Sequence, residues 1–590
     1  MHSVRKLTFL AQAPTVREST DMTEVAAKPK KAKWRSNVIS IVIMLWFLGG
    51  VEVFLLRDIP LLVVFGAAVV LISLPVARWL GKPESRWIAP VWGGTVIVAI
   101  IALLLFVIPP FSISRQTTYL TEPRSTEFYG IDYLTAIEKR IKPNVPPEDN
   151  GFRLLLQKFG RPFLADYTDE NWNYICTKLS VPAVIEPSVT FVDWNIFTKN
   201  LPEEERKIVE ENCCCEDVLP PFSEKQLPLV KRWLDENNTA IEIFTEAMQK
   251  PVLYAPTTQE TTLMDSGLVL EPVMRNMARS LQVRCRYRLA TGDVTGAWDD
   301  VRLIYRIVEL HRPLIWNIIT LFVHNAVRGV ADKSAESVLF YGNKNVADIQ
   351  KMLAEVVSFQ KPITDSDIKN VILGERFTAL DSLQALCNGN IEFAGLAGSK
   401  PITKSNIKKR LEIKWSMSIF RLGRVMKDLN VYYDERSEKS MEFVDDKFEP
   451  SQISLVRLFK MFIWYGQPKC VTVLISNIFR DLMGLPNYPD AIRRSEADAS
   501  LTRLLFVLEL YRREHDEKYP ESLDELHSGY IDEIPLDPFS KQPFLCVLDD
   551  DRRGYLIYSV GANGIDENGR NNNDIPKGDD VRRRIRLTVY

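Results

Sequence analysis

One apolar block, Val38 to Phe111, constrains this chain more than any other feature, because its length and lack of charge limit the surroundings it can occupy. It divides into three stretches. Val38 to Leu56 is interrupted only by Glu52, and at about 1.5 Å rise per residue its length suits a hydrocarbon core of about 30 Å. Leu61 to Ala77 follows a tight turn at Arg57, Asp58 and Pro60, and Ile88 to Ile108 carries no charge at all. Three transmembrane helices are therefore predicted. Lys28, Lys30, Lys31, Lys33 and Arg35 precede the first, and Arg78, Lys82 and Arg86 lie between the second and third. That bias places the amino terminus in the cytoplasm and exports everything after Phe111. Trp79, Trp87 and Trp92 flank the cytoplasmic ends, where amphipathic rings prefer the headgroup layer. Glu52 is expected near the outer end, beside Arg57 and headgroup water. The first apolar run starts late and shows no small-residue cleavage site, so an uncleaved signal anchor is expected rather than a removed leader.

The tail 1–37 mixes Ala, Pro, Thr, Glu and Lys without helical or strand period, and is expected to be disordered because it cannot bury enough apolar surface to offset ordering entropy. The whole chain of 590 residues, 46% of them hydrophobic and 25% charged, is otherwise ordinary globular material, enough for two or more domains. A net charge of −2 argues against a nucleic-acid partner, whose phosphates need a basic surface. The expected partners are the lipid bilayer and an envelope protein.

Residues 112–494 read as an exported α-helical domain. Ile131, Leu134, Ile137 and Ile141 form one apolar stripe, and Phe152, Leu155, Leu156 and Phe159 another. Pro202 followed by Glu203, Glu204 and Glu205 is a strong helix start, since proline suits the first turn and carboxylates favour the positive end of the dipole. Leu270 to Leu289 and Val294 to Leu310, separated by Thr291, Gly292 and Asp293, predict a helical hairpin, with Pro313 opening the next helix. The run YRLATGDVTGAWDDVRLIYRIVELHRP resembles one tetratricopeptide unit, with Gly292 at the turn and Ala297 at the close-packing position. No second copy follows at a regular spacing, and plain helix pairing is the alternative.

Motifs of catalysis are absent from the sequence: there is no HExxH pair, GxSxG elbow, phosphate loop or dinucleotide fingerprint. Ser366 with Lys369 and Ser405 with Lys408 match SxxK without its companion motifs. Cys213, Cys214 and Cys215 are adjacent, but a closed zinc site needs four converging ligands at paired spacings; disulfide formation or simple burial is expected for the eight cysteines. His515, beside Glu514 and Asp516, reads as a solvated helix end.

Residues 495–590 form the most specific stretch. Ser495 caps a helix through Leu501, Leu504, Leu505, Leu508 and Tyr511, and a short helix spans Ser522 to Leu526. Strands are predicted at Pro543 to Leu548 and Tyr555 to Val560, turning at Gly554, with a final strand through Ile585, Leu587 and Val589. The segments YRREHDEKYPESLDEL, IDEIPLDPFSKQPF and GYLIYSVGANGIDENGRNNNDI, in that order, resemble the globular part of the major pseudopilins of type II secretion systems. That resemblance, over about 495–580, implies a helix packed on a small antiparallel sheet and a calcium ion in the loop after the Tyr-Ser-Val-Gly strand. Asn563, Asp566 and Asp574 supply oxygens there, and Gly561, Gly564 and Gly569 let carbonyls turn inward. By position Asn563 replaces the family's usual Asp, Asp574 keeps the closing acid, and Asp566 is added on chemistry alone. A solvated Asn, Asp and Gly turn without metal is the alternative. Pseudopilins carry a single amino-terminal assembly helix, which the architecture predicted here lacks, so polymerisation is not implied.

The expected fold class is thus a membrane protein, mainly α, with three transmembrane helices at 38–111, a helical domain and a pseudopilin-like α+β module. The expected function is a non-catalytic assembly or interaction role in the bacterial envelope, at the inner membrane with the carboxy-terminal domains outside the cytoplasm. A membrane-anchored hydrolase with its site in the helical domain is the rival, to be favoured by a converging acid and histidine pocket.

Overall fold

In the computed structural model the chain divides into two compact units, Met1–Leu104 and Leu105–Tyr590. The structure describes residues 111–126, 128–210, 218–258, 262–264, 266, 268–387, 422–439, 488–527, 529–549, 552–574 and 576–585, all in the second unit.

Short, individually capped helices come first: α1 (Tyr133–Ile141), α2 (Gly151–Phe159), α3 (Asp169–Lys178), α4 (Trp194–Asn200) and α5 (Glu203–Glu210). Asp132, Asn150, Thr168 and Asp193 each accept a hydrogen bond from a first-turn N–H of the helix they precede, which satisfies a donor that the helix itself cannot. Longer helices follow: α6 (Leu227–Met248), α7 (Leu270–Ala290), α8 (Val294–His311), α9 (Ile318–Tyr341), α10 (Val346–Phe359), α11 (Asp365–Cys387), α12 (Leu422–Glu438) and α13 (Tyr488–Glu514).

The turn between α7 and α8 falls at Thr291, Gly292 and Asp293, where the sequence placed it. Gly292 has φ +83°, a backbone that a Cβ disfavours, and the Asp293 carboxylate accepts from the Gly296 N–H at 2.9 Å. α9 opens with a reciprocal cap between Asn317 and Thr320. α7, α8 and α9 pack on one another, and α13 packs on α9 and α10.

A three-stranded antiparallel sheet of order β1–β2–β3 lies against α13: β1 is Leu545–Leu548, β2 Tyr555–Ser559 and β3 Val581–Ile585. Leu545 pairs with Tyr558, and Ser559 with Val581. β3 therefore begins four residues before the predicted Ile585. The cause is Arg583, which occupies an inward position of the strand between Val581 and Ile585 and is 5% exposed; an arginine there breaks the apolar alternation that marks a strand in sequence.

One hydrophobic cluster runs without a break from Phe152 and Trp233 through Phe244, Ala297 and Ile304 to Phe506, Tyr555 and Ile557. Each large side chain buried this way contributes about 1.5–3 kcal/mol. A second cluster gathers Phe111, Tyr133, Trp316, Phe377, Leu380, Tyr433 and Tyr488 around α11 and α12. On α9, His324, Arg328, Asp332 and Glu336 follow one another at four-residue spacing and are all buried, so one line of this helix is polar yet faces the interior.

The membrane-protein fold class is corrected by this architecture. Among the described residues no helix is long and apolar enough to cross a membrane, and the fold is mainly helical with one small sheet. α13 has 27 residues, ample length, but it carries Arg493, Arg494, Glu496, Asp498, Arg503 and Glu509, whose transfer into hydrocarbon is costly. The stretches 38–56, 61–77 and 88–108, with Glu52 and the tail 1–37, lie outside the described residues.

Candidate metal centre

The loop joining β2 to β3 folds back on itself, which brings its far end, Asp579 and Asp580, against Glu567. Gly561 (φ +68°) makes this possible: a Cβ there would lie 2.5 Å from the Asp579 carbonyl oxygen. Asp580 is fully buried. Its Oδ2 accepts from the N–H groups of Gly569 at 2.8 Å and Glu567 at 3.2 Å, while its Oδ1 has no partner. Asp579 repeats the pattern, with Oδ2 accepting from the Asn563 N–H at 3.0 Å and Oδ1 buried without a partner. Glu567 accepts from the Asp579 N–H at 2.8 Å and from Asn563 Nδ2 at 3.0 Å.

One carboxylate oxygen from each of Glu567, Asp579 and Asp580 lies within 4.8 Å of the others. Burial, with the Glu567 charge added, pushes the Asp580 carboxyl up to about 6. The Asp579 N–H holds Glu567 below the usual carboxylate range. Three acids drawn together with two unpartnered buried oxygens are electrostatically costly by themselves. A hard divalent cation such as calcium, which takes oxygen ligands from carboxylates and carbonyls in a flexible shell, would fit these donors.

The structure places the three sequence-predicted ligands around this cluster rather than in it. Asn563 touches both Glu567 and Asp579, and its own Oδ1 accepts from the Ile565 N–H at 2.6 Å. Asp566 accepts from the Tyr558 hydroxyl at 3.0 Å and the Asn568 N–H at 2.8 Å, which shapes the turn. Asp574 accepts from the Asn571 N–H at 2.8 Å and is paired with the Arg582 guanidinium. These contacts, the Asn571 N–H first, hold its carboxyl below the usual range. With a cation already beside it, Asp574 is not gathered with the other acids. The missed residues carried a signal in Asp579–Asp580 directly after Gly578, but only the fold-back brings Glu567 to them.

The other sequence constellations resolve locally. Lys369 pairs with Asp365 at 2.7 Å on the exposed first turns of α11, and Ser366 is exposed beside it. His515 is exposed, stacks on Tyr511 at 3.8 Å between ring centroids and meets the Tyr511 carbonyl at 2.9 Å. Cys176 and Cys285 are buried and Cys546 is exposed, all three free. Cys213, Cys214, Cys215, Ser405 and Lys408 lie outside the described residues.

Comparison with known proteins finds no match for this chain among family models, curated proteins or solved structures.

Proposed function

We propose that the chain is a non-catalytic assembly or interaction protein of the bacterial envelope, with its carboxy-terminal module outside the cytoplasm and stabilised there by calcium. The observation that carries this is the convergence of Glu567, Asp579 and Asp580 around two buried carboxylate oxygens without partners. The helix α13 packed on an antiparallel three-stranded sheet supports the pseudopilin-like reading of the module. Its α13 helix is packed against α9 and α10, so the module serves as part of one body rather than as a polymerising subunit. The edge strand β1 leaves Leu545 and Val547 exposed, a feature suited to protein contact.

A hydrolase gains less support. Among the described residues the one approach of a histidine to a carboxylate within 4 Å is His311 to Glu271, and the cavity that Glu271 lines holds about 20 Å³. That is room for one water, not for a substrate.

Thermal unfolding of the full chain, with chelator and with millimolar calcium, tests the proposal. For a site of extracellular strength, Kd about 0.1–1 mM, 1 mM calcium stabilises by about 0.4–1.4 kcal/mol. The upward shift is expected in the wild type and lost in Asp580→Asn. No shift in the wild type, or an equal shift in the variant, overturns it.

A further inference from the structure

While one line of α9 buries charge, another does the reverse. Ile319, Phe322, Ala326 and Val330 advance by three or four residues and so lie along a single face of the helix. Ile319 is 53% exposed and Phe322 38%; Ala326 is exposed and Val330 half-buried. At Gly329, in the same line, an added Cβ would meet nothing within 4 Å. Three turns of helix thus present apolar or small residues outward, and Lys333, also exposed, ends the line.

α7 borders this face. α8 turns back along α7, where Arg284 pairs with Asp300, and α9 turns back along α8, where Tyr305 meets Asp332, so α7 and α9 point the same way. Gln282 of α7 donates from Nε2 to Ser334 Oγ at 3.4 Å and to the Val330 carbonyl at 3.5 Å. Arg279 and Arg275, both exposed, stand one and two turns before Gln282; the same steps back from Val330 reach Ala326 and Phe322. The two arginines therefore flank the apolar line. Among the described residues neither they nor Lys333 form an ion pair. α7 has no acid after Glu271, which is buried, and the two acids of α9, Asp332 and Glu336, are buried as well. On the other flank α13 brings Glu496 and Asp498, already paired with Arg328 and Arg583.

Apolarity and charge together select what covers this face. An exposed apolar stripe of this length marks a contact surface, and unpaired cations with no exposed acid on either helix call for an anionic one. An apolar centre with long basic side chains at its margin is the pattern of a helix lying in the headgroup layer, its apolar residues below the phosphates and its Lys and Arg level with them. The stripe also starts at the cluster that holds Phe111, the last residue of the apolar block of the sequence, together with Ile318 and Leu321. We infer that the α7–α9 face is a peripheral contact surface for an anionic lipid bilayer, with Ile319 and Phe322 entering the boundary between headgroups and acyl chains and Arg275, Arg279 and Lys333 meeting the phosphates. It shares no residue with the acidic loop and needs no calcium, so either can fail without the other.

Photocrosslinking in the full chain tests the surface residue by residue, whatever else holds the protein to a vesicle. The crosslinker p-benzoylphenylalanine replaces Phe322, a change of similar shape at an exposed position, or Val184, an apolar control that is 91% exposed. Each protein is irradiated with phosphatidylcholine vesicles, with and without phosphatidylglycerol, and adducts are identified by mass spectrometry. A lipid adduct is expected at position 322 and not at 184, and more of it with phosphatidylglycerol. One basic residue strengthens attachment to an anionic surface about fivefold at low salt, so Arg275→Gln with Arg279→Gln should remove most of that gain. Three results each overturn the surface: a crosslink from position 322 to protein, within one copy or between two, in place of lipid; equal lipid labelling at 322 and 184; or a yield indifferent to phosphatidylglycerol and to the two arginines.

Discussion

The strongest long-range commitment in the fold is the buried ion pair between Glu336 on α9 and Arg583 on β3, and breaking it yields the most severe test of the architecture. Arg583 Nε donates to the two Glu336 oxygens at 2.8 and 3.0 Å, and its Nη1 donates to Asp498 at 3.1 Å. The Thr502 hydroxyl donates to Glu336 at 2.6 Å. The Glu336 side chain is 0% exposed and that of Arg583 6%. Burial pushes the Glu336 carboxyl up, and the adjacent guanidinium and Thr502 pull it back. Arg583→Met keeps the length and apolar stem but leaves Glu336 charged, or forces it to take up a proton, in a fully buried site. Such a loss costs about 3–5 kcal/mol. The double variant Arg583→Met with Glu336→Leu removes both charges and is expected to recover all but about 1–2 kcal/mol, the remainder reflecting the Asp498 carboxylate, which loses its Arg583 donor, while Thr502 keeps its bond to the Asp498 carbonyl at 3.0 Å. Urea unfolding followed by tryptophan fluorescence and by far-ultraviolet circular dichroism measures both. Because one hydrophobic cluster runs from Trp233 to Ile557, the two signals should move together. A single-variant loss under about 1 kcal/mol, or a double variant no better than the single, would refute the reasoning.

Two further outcomes follow from the same geometry. Glu375 is buried, accepts from the Ile318 N–H at 2.9 Å, and burial raises its carboxyl from 4.5 to about 7. The native state therefore holds an extra proton between these values, so this group's contribution is complete below 4.5 and is lost as pH rises through about 7. Glu375→Gln, which keeps the acceptor, should gain on the order of 3 kcal/mol over wild type at pH 8 and almost nothing near pH 4.5, read from urea midpoints. At the acidic loop, Asp574→Ala should retain the calcium-dependent rise in melting temperature that Asp580→Asn loses, because Asp574 is engaged with Arg582; loss of the response in Asp574→Ala would return the site to the ligands read from sequence.

The sequence by itself determined the features that depend on neighbours along the chain. The Gly292 turn, the start at Glu203–Glu205 and the strands near Leu545 and Tyr555 are fixed by caps, glycine conformers and periodicities spanning a few residues, as is the body of the helix through Leu501 and Tyr511, whose start lies at Tyr488 and not after Ser495. The loop between β2 and β3 was legible as a loop for the same reason, but the carboxylates it draws together were not. Glu567 meets Asp579 and Asp580 only because the chain folds back over Gly561. Tertiary structure alone decided β3, where Arg583 points inward to a glutamate 247 positions away, and the burial of the polar line on α9. It alone set His311 beside Glu271, forty residues earlier. A charge is placed in the interior by the partner that satisfies it, and such partners come from distant parts of the chain that no local pattern records.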